Sequence, residues 1–162
     1  MNLGNQVEWA LHCMAILASM PEGVNVPAKV LAEFHGVPKE YLSKSLQLLS
    51  QEGLLKTTLG PTGGYQLAKP ADQITFLEIV EAVEGRKKTF NCTEIRGNNP
   101  CLKKSEKKPA WICQIASVMY EADKAWRLAL EDKRLSDVNA QLVKEIDPKI
   151  LERTANWFKE RL

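Results

Sequence analysis

Residues 36–67 read GVPKEYLSKSLQLLSQEGLLKTTLGPTGGYQL, and this stretch decides the fold. Leu42, Leu46 and Leu49 recur at intervals of four and three residues, which is the spacing of one helical face. Gly53 marks the end of this predicted helix. The segments LLKTT and YQLAK, separated by the turn sequence LGPTGG, then predict the two strands of a β-hairpin.

The preceding segment, VPAKVLAEFHGV, predicts a further short helix. Val30, Leu31 and Phe34 form its apolar stripe, and Pro27 stands where a first helical turn accepts proline. Two short helices joined by a few residues and followed by a hairpin are typical of a winged helix-turn-helix. The alternative is an ordinary surface helix and hairpin whose polar residues face water.

The polar face of the second helix carries residue types that contact phosphates and base edges when a helix lies in a major groove. The wing adds a lysine and two threonines that could reach a phosphate or a neighbouring groove. We therefore predict double-stranded DNA as a partner, contacted by Lys29, Lys39, Tyr41, Ser43, Lys44, Gln47, Lys56, Thr58, Thr62 and Gly63.

The bulk composition of the 162 residues fits about one globular domain, with 44% hydrophobic residues and a net charge of only +2. The charge is unevenly distributed: residues 70–85 hold four acids and no bases, whereas residues 86–108 have a net charge of +6. The basic stretch could lie near phosphate or an anionic centre, or could be a solvated loop. No membrane span or signal peptide is recognisable, so we expect a cytoplasmic protein with no membrane partner.

The N-terminal segment 5–20, NQVEWALHCMAILASM, predicts a strongly periodic helix. Glu8 and His12 are four residues apart, so their side chains leave the same helical face one turn apart. Taken alone, such a pair is usually a surface interaction, but the spacing also suits two ligands of one metal. Cys13 points about 100° away from His12 and is expected to be a small buried residue.

Beyond the wing, residues 75–83 predict a short amphipathic helix that ends near Gly85. An irregular segment follows to residue 109, and residues 110–132 then predict a long helix with a broad apolar side. Because a small domain cannot bury so wide a stripe, a two-fold partner helix is its natural cover, which predicts a homodimer. Two further helices are expected, one capped by Ser136 and one beginning at Pro148.

Three of the four cysteines, Cys92, Cys101 and Cys113, lie in or next to the irregular segment at intervals of nine and twelve residues. In a cytosolic protein such cysteines favour metal or redox chemistry over a disulfide framework. The spacing is not that of a zinc ribbon, and an iron-sulfur site, a zinc site or mere loop and core residues all stay open. We place Cys113 in the first turn of the long helix, where the amide dipoles favour a thiolate.

The order of these segments, with the wing motif G-x-x-G-G-Y (Gly60, Gly63, Gly64, Tyr65) and the later VEAVEG, resembles the winged-helix iron-sulfur regulators that include IscR and NsrR. The resemblance extends over nearly the whole chain. The pieces VEWALHC, CTEIR and C-x-I-A-x-x-M are most similar to the redox-sensing 2Fe-2S branch of that family, typified by RsrR.

That resemblance implies a 2Fe-2S cluster held by two cysteines of one subunit and by a glutamate and a histidine of the other. By motif these are Cys92 and Cys113 with Glu8 and His12, while Cys101 is a third ligand, an alternative ligand or a bystander. Trp9, beside a ligand, is a candidate for repacking when the cluster changes charge. The wing position before Gly60, often arginine in that family, is Leu59 here, so neighbouring wing residues would have to contact the DNA.

These observations predict a homodimeric transcriptional regulator that senses redox state through the cluster. The chain divides into three predicted parts. Residues 1–85 form the DNA-binding domain, residues 86–109 the cluster-binding loop, and residues 110–162 the dimerisation helix and C-terminal helices. The alternatives are a zinc or thiol-based switch, or another iron-sulfur signal such as nitric oxide. An enzyme is disfavoured because the sequence has no phosphate-binding glycine loop, nucleophile elbow or convergent carboxylate pair, and we expect no small-molecule substrate.

Overall fold

The computed structural model describes residues 3–106 and 111–162. The described chain is mainly helical, with one two-stranded antiparallel hairpin, as the sequence predicts. Its helices and strands are α1 (Asn5–Ser19), α2 (Ala28–His35), α3 (Lys39–Gln51), β1 (Leu55–Thr58), β2 (Gly64–Leu67), α4 (Phe76–Glu84), α5 (Gln114–Glu131), α6 (Leu135–Glu145) and α7 (Pro148–Lys159).

The core lies between α1 and the helix-turn-helix. Met14 of α1, Leu31 of α2 and Leu46 of α3 are all fully buried, and α1 also packs against α4 and α6. The wing is tied to this core because Leu55 of β1 is buried and Ser50 donates a hydrogen bond to its carbonyl oxygen at 3.2 Å. The winged helix-turn-helix thus has a rigid base formed by α1.

Helix α4 begins with a capping box, which fixes its start one residue after Thr75. The Thr75 hydroxyl accepts from the backbone N–H of Glu78, and the Glu78 carboxylate accepts from the backbone N–H of Thr75 at 2.8 Å. Lys69 binds the same carboxylate at 2.7 Å. On the next turn, Glu81 pairs with Arg127 of α5, which joins α4 to the long helix.

The C-terminal helices return to the N-terminal half. Phe158 of α7 is buried against Phe34 of α2, with ring centroids 4.9 Å apart, and Arg161 pairs with Glu33 at 3.2 Å. Asn139 of α6 donates to the carbonyl oxygen of Ala15 in α1 at 2.9 Å. These contacts join α6 and α7 to the helices beneath the wing.

Four local predictions from the sequence are corrected. Pro27 precedes α2 as its N-cap, and Cys113 precedes α5 as its N-cap, so neither lies in a first helical turn. The predicted start of the long helix at residue 110 lies outside the described residues, and α5 begins at Gln114. Ser136 does not cap α6, because α6 begins one residue earlier, with Arg134 in the N-cap position. None of the described helices is long and apolar enough to cross a membrane.

Candidate nucleic-acid interface and metal-ligand residues

Helix α3 presents one buried face and one exposed face. Leu42, Leu46 and Leu49 are fully buried, which orients the opposite face towards solvent. Tyr41 remains 52% exposed, and the ammonium of Lys44 lies 5.6 Å from the centre of its ring. The exposed predicted DNA contacts on this side of the molecule are Lys29, Lys39, Tyr41, Lys44 and Gln47, while Ser43 is half-buried.

The wing carries the second group of predicted contacts. Lys56, Thr58 and Thr62 are exposed, and Leu59 near the tip is 95% exposed. Gly63 is half-buried, and a Cβ added there would lie 2.4 Å from the backbone oxygen of Thr58. Gly63 is therefore required for the shape of the turn itself, whatever it contacts in addition.

Gly64 allows the wing to lie against Val26, a residue shortly before α2 that pairs with Tyr65 of β2 as a strand residue would. The backbone N–H and C=O groups of Tyr65 exchange two hydrogen bonds with those of Val26, each at 2.9 Å. A Cβ on Gly64 would lie 2.5 Å from the carbonyl carbon of Val26. The second glycine of the wing motif thus fixes the position of the wing relative to α2.

Glu8 and His12 are both exposed on α1, and Trp9 between them is half-buried. A cavity of about 230 Å³ is lined by these three residues together with Val37 and His35, the last residue of α2. The rings of His12 and His35 have centroids 5.9 Å apart, and the Nε2 atom of His35 is buried without a hydrogen-bond partner. Burial, and secondarily the charge of His12, lowers the pKa of His35.

Sequence reasoning did not single out His35, whose only signal is its position directly before the turn at Gly36. Its contact with His12 links the proposed ligand helix to the helix-turn-helix.

The four cysteines occupy different environments. Cys13 is fully buried, and burial raises the pKa of its thiol to about 12, so it stays protonated and unreactive. Cys101 is exposed, whereas Cys92 and Cys113 are half-buried. No disulfide joins any of them.

Arg96 lies between the two half-buried cysteines, and sequence reasoning also missed it. Its guanidinium donates to Glu94 and, at 3.1 Å, to the backbone oxygen of Trp111. The pKa of Arg96 is raised, and the largest cause is its hydrogen bond to Glu94. The negative charges of Cys113 and Cys92 make smaller contributions in the same direction. The guanidinium of Arg96 thus interacts electrostatically with both half-buried cysteines. The only available signal was the sequence piece CTEIR.

The donor chemistry fits the cluster that the resemblance implies. Cys92 and Cys113 supply two half-buried thiols, and Glu8 with His12 supply a carboxylate and an imidazole on one helical face. Within residues 3–106 and 111–162 of this one chain, however, no three such side chains converge to hold a metal ion. We refer to the pair Cys92 and Cys113, and to the pair Glu8 and His12, as the two candidate half-sites.

Each half-site is flanked by uncovered apolar surface. Next to Cys113, Trp111, Ile112 and Ile115 are 64%, 75% and 75% exposed. A groove of about 400 Å³ lies along α1 beside the other half-site, and its lining residues are Leu3, Gly4, Asn5, Val7, Glu8, Leu11, His12, Ala15, Phe76, Val138 and Leu142. Both surfaces are largely apolar, and each lies beside one of the two candidate half-sites.

Comparison with known proteins identifies the family. The family model Rrf2, described as iron-dependent transcriptional regulator, matches residues 3–141. A relative from Lactococcus lactis subsp. lactis, the candidate HTH-type transcriptional regulator YffB, is 31% identical over 138 residues, which cover 85% of this chain and 86% of that protein.

Two solved structures share the fold. T. potens IscR superposes with a TM-score of 0.67 at 22% identity, covering 91% of this chain and 93% of that one. CymR, the global cysteine regulator of B. subtilis, superposes with a TM-score of 0.66 at 21% identity, covering 87% and 98% respectively.

Proposed function

Because this chain belongs to the Rrf2 family of transcriptional regulators, we propose that it is a homodimeric DNA-binding regulator that senses redox state through a 2Fe-2S cluster held between its subunits. The observation that carries the proposal is the pair of separate half-sites, each beside uncovered apolar surface. A second copy of the chain supplies to each half-site what the first copy lacks.

The DNA-binding part of the proposal rests on α3 and the wing. Lys44 and Gln47 project from the face of α3 opposite the buried leucines, where a major groove can receive them. Lys56 on β1 is exposed, which supports the proposal that it contacts a phosphate. In a two-fold dimer the two recognition helices would read half-sites about one helical turn apart, roughly 34 Å.

The dimer part rests on the exposed apolar segment around Cys113. Trp111, Ile112 and Ile115 would be costly to leave in water, since each fully buried aliphatic side chain stabilises by roughly 1.5–3 kcal/mol. We propose that this segment docks into the partner's groove along α1, whose walls include Glu8 and His12. Docking would bring the sulfur pair of one subunit to the carboxylate and imidazole of the other.

The cluster ligands would be Cys92 and Cys113 of one subunit with Glu8 and His12 of the other. When bound, the cluster supplies reversible one-electron chemistry. Two thiolates and one carboxylate give the oxidised site a formal charge of about −1 and the reduced site about −2. A neutral imidazole and a carboxylate in place of two thiolates raise the reduction potential.

Transmission to the DNA would run through α1. Its buried face packs on α3, and its exposed face carries Glu8 and His12. Trp9 lines the same cavity as Glu8, His12 and His35, which supports the proposal that it repacks when the charge of the site changes. A bias of about 1–3 kcal/mol between two α1 positions would alter operator affinity roughly 5- to 150-fold.

Reduced and oxidised protein should therefore differ in DNA affinity. We would purify the protein without oxygen, measure iron and acid-labile sulfide, and select a binding duplex from a randomised pool. Titrating that duplex with air-oxidised and with dithionite-reduced protein gives the two affinities directly. Identical binding curves for the two forms would refute redox sensing.

Single substitutions identify the ligands. Cys92→Ala and His12→Ala should lose iron and the visible absorption of the cluster, whereas Cys101→Ala should keep both. Cys101→Ala is the matched control because it removes a third thiol from the same segment, one that is exposed whereas the two proposed ligands are half-buried. Loss of iron in Cys101→Ala alone would contradict the proposed ligand set.

A zinc or thiol-based switch is the second candidate, and the exposure of Cys101 favours it, because an exposed free thiol is open to oxidation. Colour separates the candidates. A 2Fe-2S protein absorbs visible light, while a zinc or metal-free protein does not. A colourless preparation that contains neither iron nor sulfide after anaerobic reconstitution would leave only the DNA-binding part of the proposal.

A further inference from the structure

Arg96 connects the two ends of the segment between Cys92 and Cys113. It lies in a short 3-10 turn, Ile95–Asn98, and donates at 3.1 Å to the backbone oxygen of Trp111, two residues before Cys113. Its guanidinium carbon also lies 5.6 Å from the centre of the Trp111 ring. One side chain therefore connects the backbone that follows the first cysteine with the backbone that precedes the second.

Glu94 holds Arg96 in this position. The two side chains form a two-pronged ion pair, one of whose bonds measures 2.5 Å. Glu94 is the one non-glycine residue with positive φ in the described chain, at 56°, a conformation that costs roughly 1 kcal/mol or more for a residue of this type. The ion pair and the contact with Trp111 stabilise this backbone conformation.

The charges of this pair act on the sulfur atoms. The side chain of Arg96 is 24% exposed and that of Glu94 45%, so added salt should weaken the effect of their charges. Cys92 and Cys113 both interact electrostatically with Arg96. A positive and a negative side chain that bind one another thus lie in the segment of the proposed sulfur ligands, and the positive one interacts with both cysteines.

We propose that Arg96 is a positioning residue that clasps the cysteine segment and raises the reduction potential of the cluster, and that Glu94 opposes its charge. This inference rests on the proposed function. One-electron reduction by dithionite adds one negative charge to the site and breaks no bond. A nearby cation stabilises the added charge, and a nearby carboxylate destabilises it.

Substitutions of these two residues should therefore shift the midpoint potential in opposite directions. Arg96→Gln leaves the carboxylate of Glu94 unopposed and should lower the midpoint potential. Glu94→Gln keeps a hydrogen-bond acceptor for Arg96 but removes the negative charge, so it should raise the midpoint potential. If the Arg96–Glu94 pair acted only by holding the segment together, both variants would shift the potential in the same direction, or neither would shift it.

The experiment is an anaerobic potentiometric titration of the full-length cluster-loaded protein, followed by its visible absorption. Arg96→Lys is included because it keeps the charge without the planar fork, and its potential should return towards that of the wild type. Arg153→Gln is the matched control, since it removes an exposed guanidinium from α7 and should leave the potential unchanged. Both predicted shifts should shrink as salt is added.

The possible results separate the two proposals. A wild-type protein without iron, or with absorption that dithionite does not bleach, overturns the proposed function. A wild type that titrates normally while Arg96→Gln and Glu94→Gln shift together, or not at all, overturns the role of Arg96. If Arg96→Gln fails to retain the cluster, Glu94→Gln alone decides: an upward shift supports the proposal, and a downward shift or none refutes it.

Discussion

Replacing Gly64 by alanine should detach the wing from Val26, which lies shortly before α2. The added Cβ would lie 2.5–2.7 Å from three backbone atoms, the carbonyl carbon and oxygen of Val26 and the nitrogen of Pro27. These atoms belong to the backbone, so no rotation of a flexible side chain relieves the contact. The wing must therefore move away by about 1 Å to restore ordinary van der Waals separation.

The cost follows from what that movement breaks. The two hydrogen bonds between Val26 and Tyr65, each 2.9 Å long, contribute about 0.5–1.5 kcal/mol apiece. Their loss, with some loss of packing where the fully buried Val26 meets the wing, amounts to roughly 2–3 kcal/mol. At a urea m-value of about 2 kcal/mol/M, the midpoint of unfolding should fall by about 1–1.5 M with m unchanged.

Urea denaturation and DNA binding together test this reasoning, with Gly23→Ala as the matched control. Gly23 has φ of 81°, but nothing lies within 4 Å of an added Cβ, so alanine there should cost only the conformational strain of about 1 kcal/mol. Gly64→Ala should weaken binding to the selected duplex because the wing is displaced, whereas Gly23→Ala should not. A Gly64→Ala midpoint within about 0.2 M of the wild type would refute the proposed close contact.

Three further outcomes are expected. Lys44→Ala should weaken binding to all duplexes alike and reduce the slope of log affinity against log salt by about 1; an unchanged slope would exclude a phosphate contact. Ile115→Glu, at a site 75% exposed in the single chain, should yield monomers in sedimentation while leaving helix content intact, and a dimeric variant would contradict docking through this face. Burial raises the pKa of Glu78, but hydrogen bonds from Lys69 and Thr75 outweigh it, and the net shift is downward. The stability that this carboxylate contributes is therefore complete above about pH 4.5 and is lost as pH falls through the lower folded pKa, and urea midpoints should show a smaller acid-induced loss in Glu78→Gln.

The DNA-binding half could be predicted from the sequence because its signals are local. Leu42, Leu46 and Leu49 have a helical period, and all three are fully buried. Two glycines of the wing motif, Gly63 and Gly64, are required for steric reasons, because a Cβ at either position would collide with backbone atoms. Both signals depend on residues within a few positions of one another, which is the range over which sequence patterns are informative.

The start of α6 could not be predicted because it depends on a distant segment. The backbone N–H of Leu135 donates to the oxygen of Ile74 at 2.9 Å, and that of Phe76 donates to the oxygen of Lys133 at 2.9 Å. This bridge places the beginning of α6 beside that of α4. A local pattern suggested Ser136 as the cap, but the long-range pairing favours an earlier start.

The proposed site was only partly accessible from sequence for the same reason. Glu8 and His12 share a helical face by simple periodicity, and both are exposed as that spacing requires. Arg96 and His35 have no such signal, because each acquires its role from a neighbour far away in the chain. Their partners, Trp111 and His12, become apparent only when the chain is folded.

The geometry of α1 explains how a small change at one face could reach the DNA. His12 is exposed and Cys13 is fully buried, since successive helical residues point about 100° apart. A ligand bond that displaced His12 would rotate Cys13 and Met14 within a close-packed core that also contains Leu46 of α3. Repacking such a core costs roughly 1–3 kcal/mol. On the proposed function, a difference of that size between two packings of α1 would be enough to couple the redox state to operator binding, so we expect α1 to need no additional hinge to act as the transmitter.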